Sequence, residues 1–417
     1  MRRFRLEIVL VAALAATLGF VVVAGPGDRG DPALGGAVPS PCEGAPRIEG
    51  LGEIGRDGDL DAIIGVVERL RSLEFTAPPA PVYLEPAAFS DRVASEPVFR
   101  EGEAELLQDV LVSLGAIPED YDLERELTET TTEGVIGFYD PETEELVVKG
   151  TGGADGFTGL ERMTLVHELE HALADQVHGL RRLDDPDADE DALAAYRALV
   201  EGDAELVTEM YASQALGFTD ALEIGLAAGP SALSALDAPH FLVRSLSFPY
   251  LEGSVFACHL FERGGWAAVD AAYANPPRTT AEILFPETYP APAPADPPDP
   301  AGPGKPWRHE AELGFGAADL LFLLEAPGGD PAAAVPGAIV AVARLRGGEL
   351  HVWRNGDASA VGLSLVARSA EGGGHLCRAM TRWDASLDAA ARTVRCTELG
   401  VLVGIAPDAA VASALTG

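Results

Sequence analysis

At 417 residues and 47% hydrophobic composition, the chain has room for two domains or one large domain with appendages, and it is not disordered as a whole. Asp+Glu 66 against Lys+Arg 29 gives a formal net charge of −37, which argues against nucleic acid and anionic membrane surfaces as partners, since both need positive charge. Solubility is the plain reading of so acidic a surface.

The N-terminus carries Arg2, Arg3 and Arg5, then the apolar run Ile8–Ala24, then Gly25-Pro26-Gly27-Asp28. A basic flank, an apolar run and small residues before a turn predict a secretory signal peptide over residues 1–24. The run is also at the lower length limit of a membrane-spanning helix, so an N-terminal anchor is the alternative. Either way the body of the protein is expected to be extracytoplasmic, with any membrane association through this segment only. Four cysteines, Cys42, Cys258, Cys377 and Cys396, suit an oxidising compartment. Cys377 and Cys396 form the preferred disulfide, and Cys258, among Val255, Phe256 and Ala257, reads as a buried small apolar residue. Cys42 lies too far from the apolar run to be a lipoprotein cysteine, and without a CxxC pair a thiolate zinc site is not expected.

Residues 25–48 are Gly/Pro-rich and read as a flexible linker. Helical spacing predicts helices over Asp59–Leu73, near Pro86–Val93 and over Glu101–Leu114, with Pro81–Leu84 a short strand and Tyr121–Leu127 a further turn or two. The period changes at Gly134–Lys149, where two β-rich runs flank Asp140-Pro141-Glu142-Thr143-Glu144, a hairpin-turn sequence. Thr158–His178 is the next helix, followed by the acidic run Asp184–Asp191, which lacks the Gly and terminal Glu of an EF-hand loop. Asp191–Leu216 is helical, and its mid-helix Gly202 costs about 1 kcal/mol against Ala unless another helix must approach there. Short helices are expected around Ser231–Ala235 and His240–Leu246, then Tyr250–Arg263 with Pro249 just before its start, then Trp266–Tyr273 and a turn at Thr279–Leu284. The domain plan is a catalytic domain over 49–289, a Pro-rich connector over 290–304 and a small α+β module over 305–417. In that module Gly314–Leu324 and Asp384–Thr393 read as helices, and Glu349–Arg354, Ala360–Val366 and Val401–Ile405 as strands.

Chemistry concentrates in His167-Glu168-Leu169-Glu170-His171, an H-E-x-x-H pentad. On a helix the two His stand at i and i+4 on one face and can bind one zinc, while Glu168 stays free as general base. A catalytic zinc site needs a third protein ligand, and the candidates are His178, Glu201, Glu205, His240 and His259. His178 falls on the same helix two turns below His171, where it cannot complete a tetrahedral site. Glu201 and Glu205 are i and i+4 on the next long helix, so one can bind metal while the other orients a ligand imidazole. Tyr250 is the candidate donor to a tetrahedral oxyanion, with His240 and His259 as rivals and a core or rim aromatic as its bland alternative.

H-E-x-x-H on one helix and E-x-x-x-D/E on the next resembles the thermolysin-like gluzincin metallopeptidases. The tighter resemblance is to exported bacterial metallopeptidases with a GFYDP-like strand, an HELxHAL helix and an EGxA helix, matched here by Gly137–Pro141, His167–Leu173 and Glu201–Ala204. It implies a zincin-like catalytic domain within an α+β, mainly helical fold, with a small hairpin or sheet before the pentad helix. It further implies His167, His171 and Glu201 as Zn2+ ligands, Glu168 as general base, Glu205 as a carboxylate behind the ligands, and a peptide or protein substrate whose extended backbone pairs along Val135–Tyr139. The thermolysin-like enzymes have Asp where this chain has Glu205, and the metzincin pattern is absent. An exported zinc endopeptidase is the leading expectation; a non-catalytic binding or structural protein on the same scaffold is the alternative.

Overall fold

The computed structural model describes residues 60–95, 98–150, 157–184, 188–217, 238–387 and 391–417, with isolated positions at 42, 48–49, 51, 220 and 224. The expected N-terminal signal or anchor, nearly all of the 25–48 linker, part of the acidic run and the short helix at Ser231–Ala235 lie outside the described residues.

The chain begins with helix α1 (Leu60–Arg71), strand β1 (Val82–Leu84), α2 (Pro86–Ala94), α3 (Glu103–Ser113) and α4 (Leu123–Gly134). Helix α4 is longer than the expected turn or two: Asp122 caps it by accepting from the Arg125 N–H, and Thr131 and Thr132 bond back to the carbonyls four residues earlier. The hairpin forms as expected, β2 (Gly137–Asp140) against β3 (Glu145–Lys149), with Asp140 accepting from the Glu142 N–H and the Thr143 hydroxyl in the turn. Strand β1 pairs parallel to β3, so the order is β1-β3-β2 and, among the described residues, β2 keeps an open edge.

The pentad helix α5 (Gly159–His178) starts with a capping box between Thr158 and Glu161. Helix α6 (Glu190–Ala215) follows, then α7 (His240–Gly264), α8 (Trp266–Ala274) and α9 (Thr280–Leu284). One expectation fails at α7: His240–Leu246 and Tyr250–Arg263 are one continuous helix with Pro249 inside it. Burial of Phe248, Pro249, Tyr250 and Phe256 offsets the proline's missing N–H, since tertiary packing overrides propensity. Cys258 on α7 is not simply a buried apolar residue; it is disulfide-bonded to Cys42 and ties the chain ahead of α1 to this helix.

The C-terminal part is a five-stranded sheet of order β4-β5-β6-β8-β7, antiparallel throughout, formed by β4 (Arg308–Gly314), β5 (Leu345–Asn355), β6 (Ala358–Ala367), β7 (Ala391–Cys396) and β8 (Gly400–Ala406). Helices α10 (Ala317–Glu325), α11 (Ala338–Val342), α12 (Ala370–Ala385) and α13 (Ala409–Thr416) accompany it. Two readings are corrected here, and Val401–Ile405 is the last strand as expected. Gly314 ends strand β4 and the helix starts only at Ala317; the expected helix Asp384–Thr393 begins in the final residues of α12 and ends in strand β7. The glycine run Gly372–Gly374 disguised α12, yet Gly373 is needed there because a Cβ would stand 2.5 Å from the Glu398 carbonyl oxygen. Cys377 on α12 bonds Cys396 on β7, the pair preferred from sequence. The chain is thus mixed α+β and mainly helical, with small sheets.

The C-terminal part does not stand free. One apolar core runs from Leu111 and Leu114 through Leu199 and Phe248 to Leu320, Val352 and Trp383. A second lies under α1, α5 and α6 around Val67, Leu169 and Leu206 and fixes the pentad helix. Where the parts meet, Asp191 accepts from both the Thr280 N–H and hydroxyl, and Asp319 accepts from the Gly316 N–H. Burial pushes Asp191 up to about 7 and Asp319 up to about 6. Both carboxyls therefore hold protons more tightly folded than unfolded, and their stabilisation, complete below about pH 4, is lost as pH rises through 6 and 7. We expect the unfolding midpoint to rise between pH 8 and pH 5, and Asp191→Asn to flatten that slope; parallel profiles for the two proteins would exclude Asp191 as a source.

Candidate metal centre

Helix α5 presents His167 and His171 on one face, and α6 runs alongside with Glu201 facing them. The three donor atoms meet closely: His167 Nε2 is 3.2 Å and His171 Nε2 3.3 Å from Glu201 Oε2, and the two imidazole nitrogens are 3.0 Å apart. All three side chains are within 2% of full burial. Tetrahedral zinc with bonds of about 2.0–2.1 Å holds its ligands about 3.3 Å apart, so this triangle fits the ion without rearrangement. Two imidazoles and a carboxylate are also the chemistry such an ion takes. Burial would push the Glu201 carboxyl up, but the adjoining imidazoles, His171 first, outweigh it and hold the group down at about 2, as an anion.

The surrounding groups follow the same helical logic. Glu205, one turn beyond Glu201, puts Oε1 3.5 Å from His167 Nδ1, at the outer reach of a hydrogen bond. Glu168 is fully buried and accepts from the Tyr139 N–H at 2.8 Å through Oε2, leaving Oε1 without a hydrogen-bond partner. That bond anchors the expected substrate strand to the site. The Lys149 N–H bonds the Ile136 carbonyl on the paired side of the hairpin, so Tyr139, an odd three positions further on, points its N–H to the opposite edge, toward Glu168. Burial above all pushes Glu168 up to about 8, partly countered by His167.

Tyr250 lies beside the same groups, its ring centre 6.2 Å from that of His167, and burial with the charges of Glu201, Glu168 and Glu205 holds its hydroxyl well above the usual range. Of its two rivals, His240 pairs with Glu325 at 3.0 Å and His259 is half-buried nine residues past Tyr250 on α7; His178, a candidate third ligand, stacks on Tyr273 and lies 3.3 Å from Asp270. A cavity of about 290 Å³ reaches Glu201 and Tyr250 and is walled by apolar side chains including Leu107, Val110 and Phe248. That is roughly twice the size of a cavity able to hold benzene.

Behind the triangle is a charged network that the sequence reading missed. Arg71, fully buried at the end of α1, donates to Asp203 at 3.0 Å and Asp270 at 2.6 Å, lies 3.6 Å from Glu170, and stacks on Trp266. Tyr273 adds its hydroxyl to Asp203 at 3.1 Å. Glu170 reaches within 4.0 Å of His171 Nδ1, and burial first, then Asp203, raises its carboxyl well above the ordinary range. A signal existed: Arg71 is four residues past Val67 and seven past Ile64, in phase with the apolar stripe of α1. Arg71→Ala would leave Glu170 and Asp203 buried beside each other without their cation. We expect it to cost about 3–5 kcal/mol in urea unfolding; a loss under about 1 kcal/mol would show the network to be dispensable.

No family model, curated protein or solved structure matches this chain.

Proposed function

We propose that the protein is a zinc-dependent endopeptidase acting outside the cytoplasm, with a zincin-like catalytic core of the gluzincin kind. The observation that carries this reading is the convergence of His167, His171 and Glu201 to 3.0–3.3 Å with the free Glu168 oxygen beside them. The two disulfides support an oxidising setting. His167, His171 and Glu201 would hold the metal, with Glu205 orienting His167 through Nδ1. When bound, zinc supplies Lewis acidity, lowering the pKa of water and polarising the scissile carbonyl.

The chain's own residues do the remainder. Glu168 takes the proton from the attacking water at Oε1 and returns it to the leaving amine, while the Tyr139 N–H holds its other oxygen in place. An extended substrate lies along the open edge of β2, using backbone groups as a further strand. Tyr250, whose ring lies beside that of His167, donates to the oxyanion in this reading. The apolar cavity beside Glu201 and Tyr250 favours substrates with a bulky apolar residue next to the cleaved bond.

Metal removal tests the reading. We expect a strong chelator to reduce hydrolysis of an apolar-rich peptide library to below about 1%, added zinc to restore it, and His167→Ala to lose both the tightly held zinc and activity. A zinc-loaded wild type inert across a broad library, or hydrolysis indifferent to chelation, would sink it.

A further inference from the structure

A second cluster of ligand-type side chains lies on the C-terminal sheet, remote in sequence from the pentad. Glu349 and His351 stand two apart on β5 and so share one face of the sheet. Asp299, from the Pro-rich stretch before β4, brings its carboxylate to the same place, and one donor atom from each of the three lies within 4.8 Å of the others. His351 is 6% exposed, yet its Nε2 has no hydrogen-bond partner and points toward Glu349 Oε2, 3.6 Å away. Its other nitrogen, Nδ1, is 3.3 Å from His309 Nε2 on β4, and the ring stacks along Trp353.

A buried imidazole flanked by His309 and Trp353, with its other nitrogen 3.6 Å from the Glu349 carboxylate and Asp299 in the same cluster, is built as a ligand. We propose that Asp299, Glu349 and His351 bind a second divalent transition-metal cation, of which zinc is the representative, with His309 fixing the His351 tautomer through Nδ1. One nitrogen and two carboxylates suit such an ion, whereas calcium would want six or more oxygens. Asp299 is exposed and Glu349 half-buried, so both can turn to close the remaining distance to ligand spacing.

The stretch carrying Asp299 is already laid over the sheet: Ala295 donates to the Arg346 carbonyl at 3.2 Å, Ala301 donates to the Leu415 carbonyl at 2.9 Å, and Pro300 packs on Gly362. The metal therefore clips this connector to β5, a structural role separate from peptide hydrolysis.

Zinc titration of the metal-free full-length protein, followed by calorimetry and metal analysis, tests the site. The wild type should take up two zinc ions per chain. Glu349→Gln and Asp299→Asn, both solvent-accessible replacements, should each weaken one of them at least about tenfold while keeping the other and the peptidase activity. His167→Ala should lose only the ion these variants keep. A wild type that binds one zinc, removed by His167→Ala, or a Glu349→Gln protein with unchanged affinity at both sites, overturns the proposal. A single zinc lost in Glu349→Gln but kept in His167→Ala supports this site and counts against the catalytic one.

Discussion

Glu168→Gln should abolish peptide hydrolysis by about 10²–10⁴-fold in kcat while the tightly held zinc stays in place. The change is nearly isosteric, and the Gln carbonyl oxygen can still accept from the Tyr139 N–H that now bonds Glu168 Oε2 at 2.8 Å. Only the ability to take and return a proton at the second oxygen is lost. The residue does not belong to the His167, His171 and Glu201 triangle, so metal content should match the wild type. Metal analysis and steady-state kinetics on the same preparation separate the two effects. Tyr250→Phe offers a graded comparison: loss of one oxyanion donor lowers kcat by about 10²–10³-fold. Activity in Glu168→Gln within about threefold of wild type would remove Glu168 as the base and, with it, the proposed mechanism.

Gly202→Ala should be among the most destabilising single methyl additions in the protein. A Cβ at Gly202 would stand 2.1 Å from the Gly253 carbonyl oxygen, and one at Gly253 would stand 2.3 Å from the Ala198 carbonyl oxygen. Helices α6 and α7 thus touch backbone to backbone, and a carbonyl cannot swing aside as a side chain can. The helices must part by about 1 Å, which opens packing on both sides and costs about 3 kcal/mol or more. Since α6 carries Glu201 and α7 carries Tyr250, zinc affinity should fall as well. Gly65 is the control. It too is inside a helix, but a Cβ there meets nothing within 4 Å, so Gly65→Ala should stabilise by about 0.5–1 kcal/mol. Equal urea midpoints for Gly202→Ala and the wild type would mean that the helices do not cross at these glycines.

The part of the site legible in the sequence was the part built on one helix at a time. Four-residue spacing put His167 with His171 and Glu201 with Glu205 before any packing was known, and the structure brings the two pairs together. Gly202 also read correctly as a point of helix approach, because a mid-helix glycine costs stability that only close contact explains. The hairpin before α5 was visible from its change of period and its Asp-Pro turn.

Other features were hidden for identifiable reasons. Pro249 was read as a boundary from its intrinsic conformational bias, but the buried face of α7 carries the helix through it. Strand β4 went unseen because Arg308, His309 and Glu310 are exposed and show no apolar alternation. Helix α12 was obscured by three glycines, of which Gly373 packs against the Glu398–Gly400 backbone. Cys258 looked like core because its partner is 216 residues away.

Sequence by itself determined the chemistry on offer: two imidazoles and a carboxylate on one helix, two carboxylates on one face of another, and an acidic body. Those are short-range properties, set by 3.6 residues per turn and by side-chain type. Tertiary structure alone decided that the faces meet within 3.0–3.3 Å and that the Tyr139 N–H anchors Glu168. It alone also seats Arg71 behind the His167, His171 and Glu201 triangle, joined to groups 132 and 199 residues further along the chain. Such contacts depend on how the cores under α1, α5 and α6 close, and burial then sets the charge each group can carry.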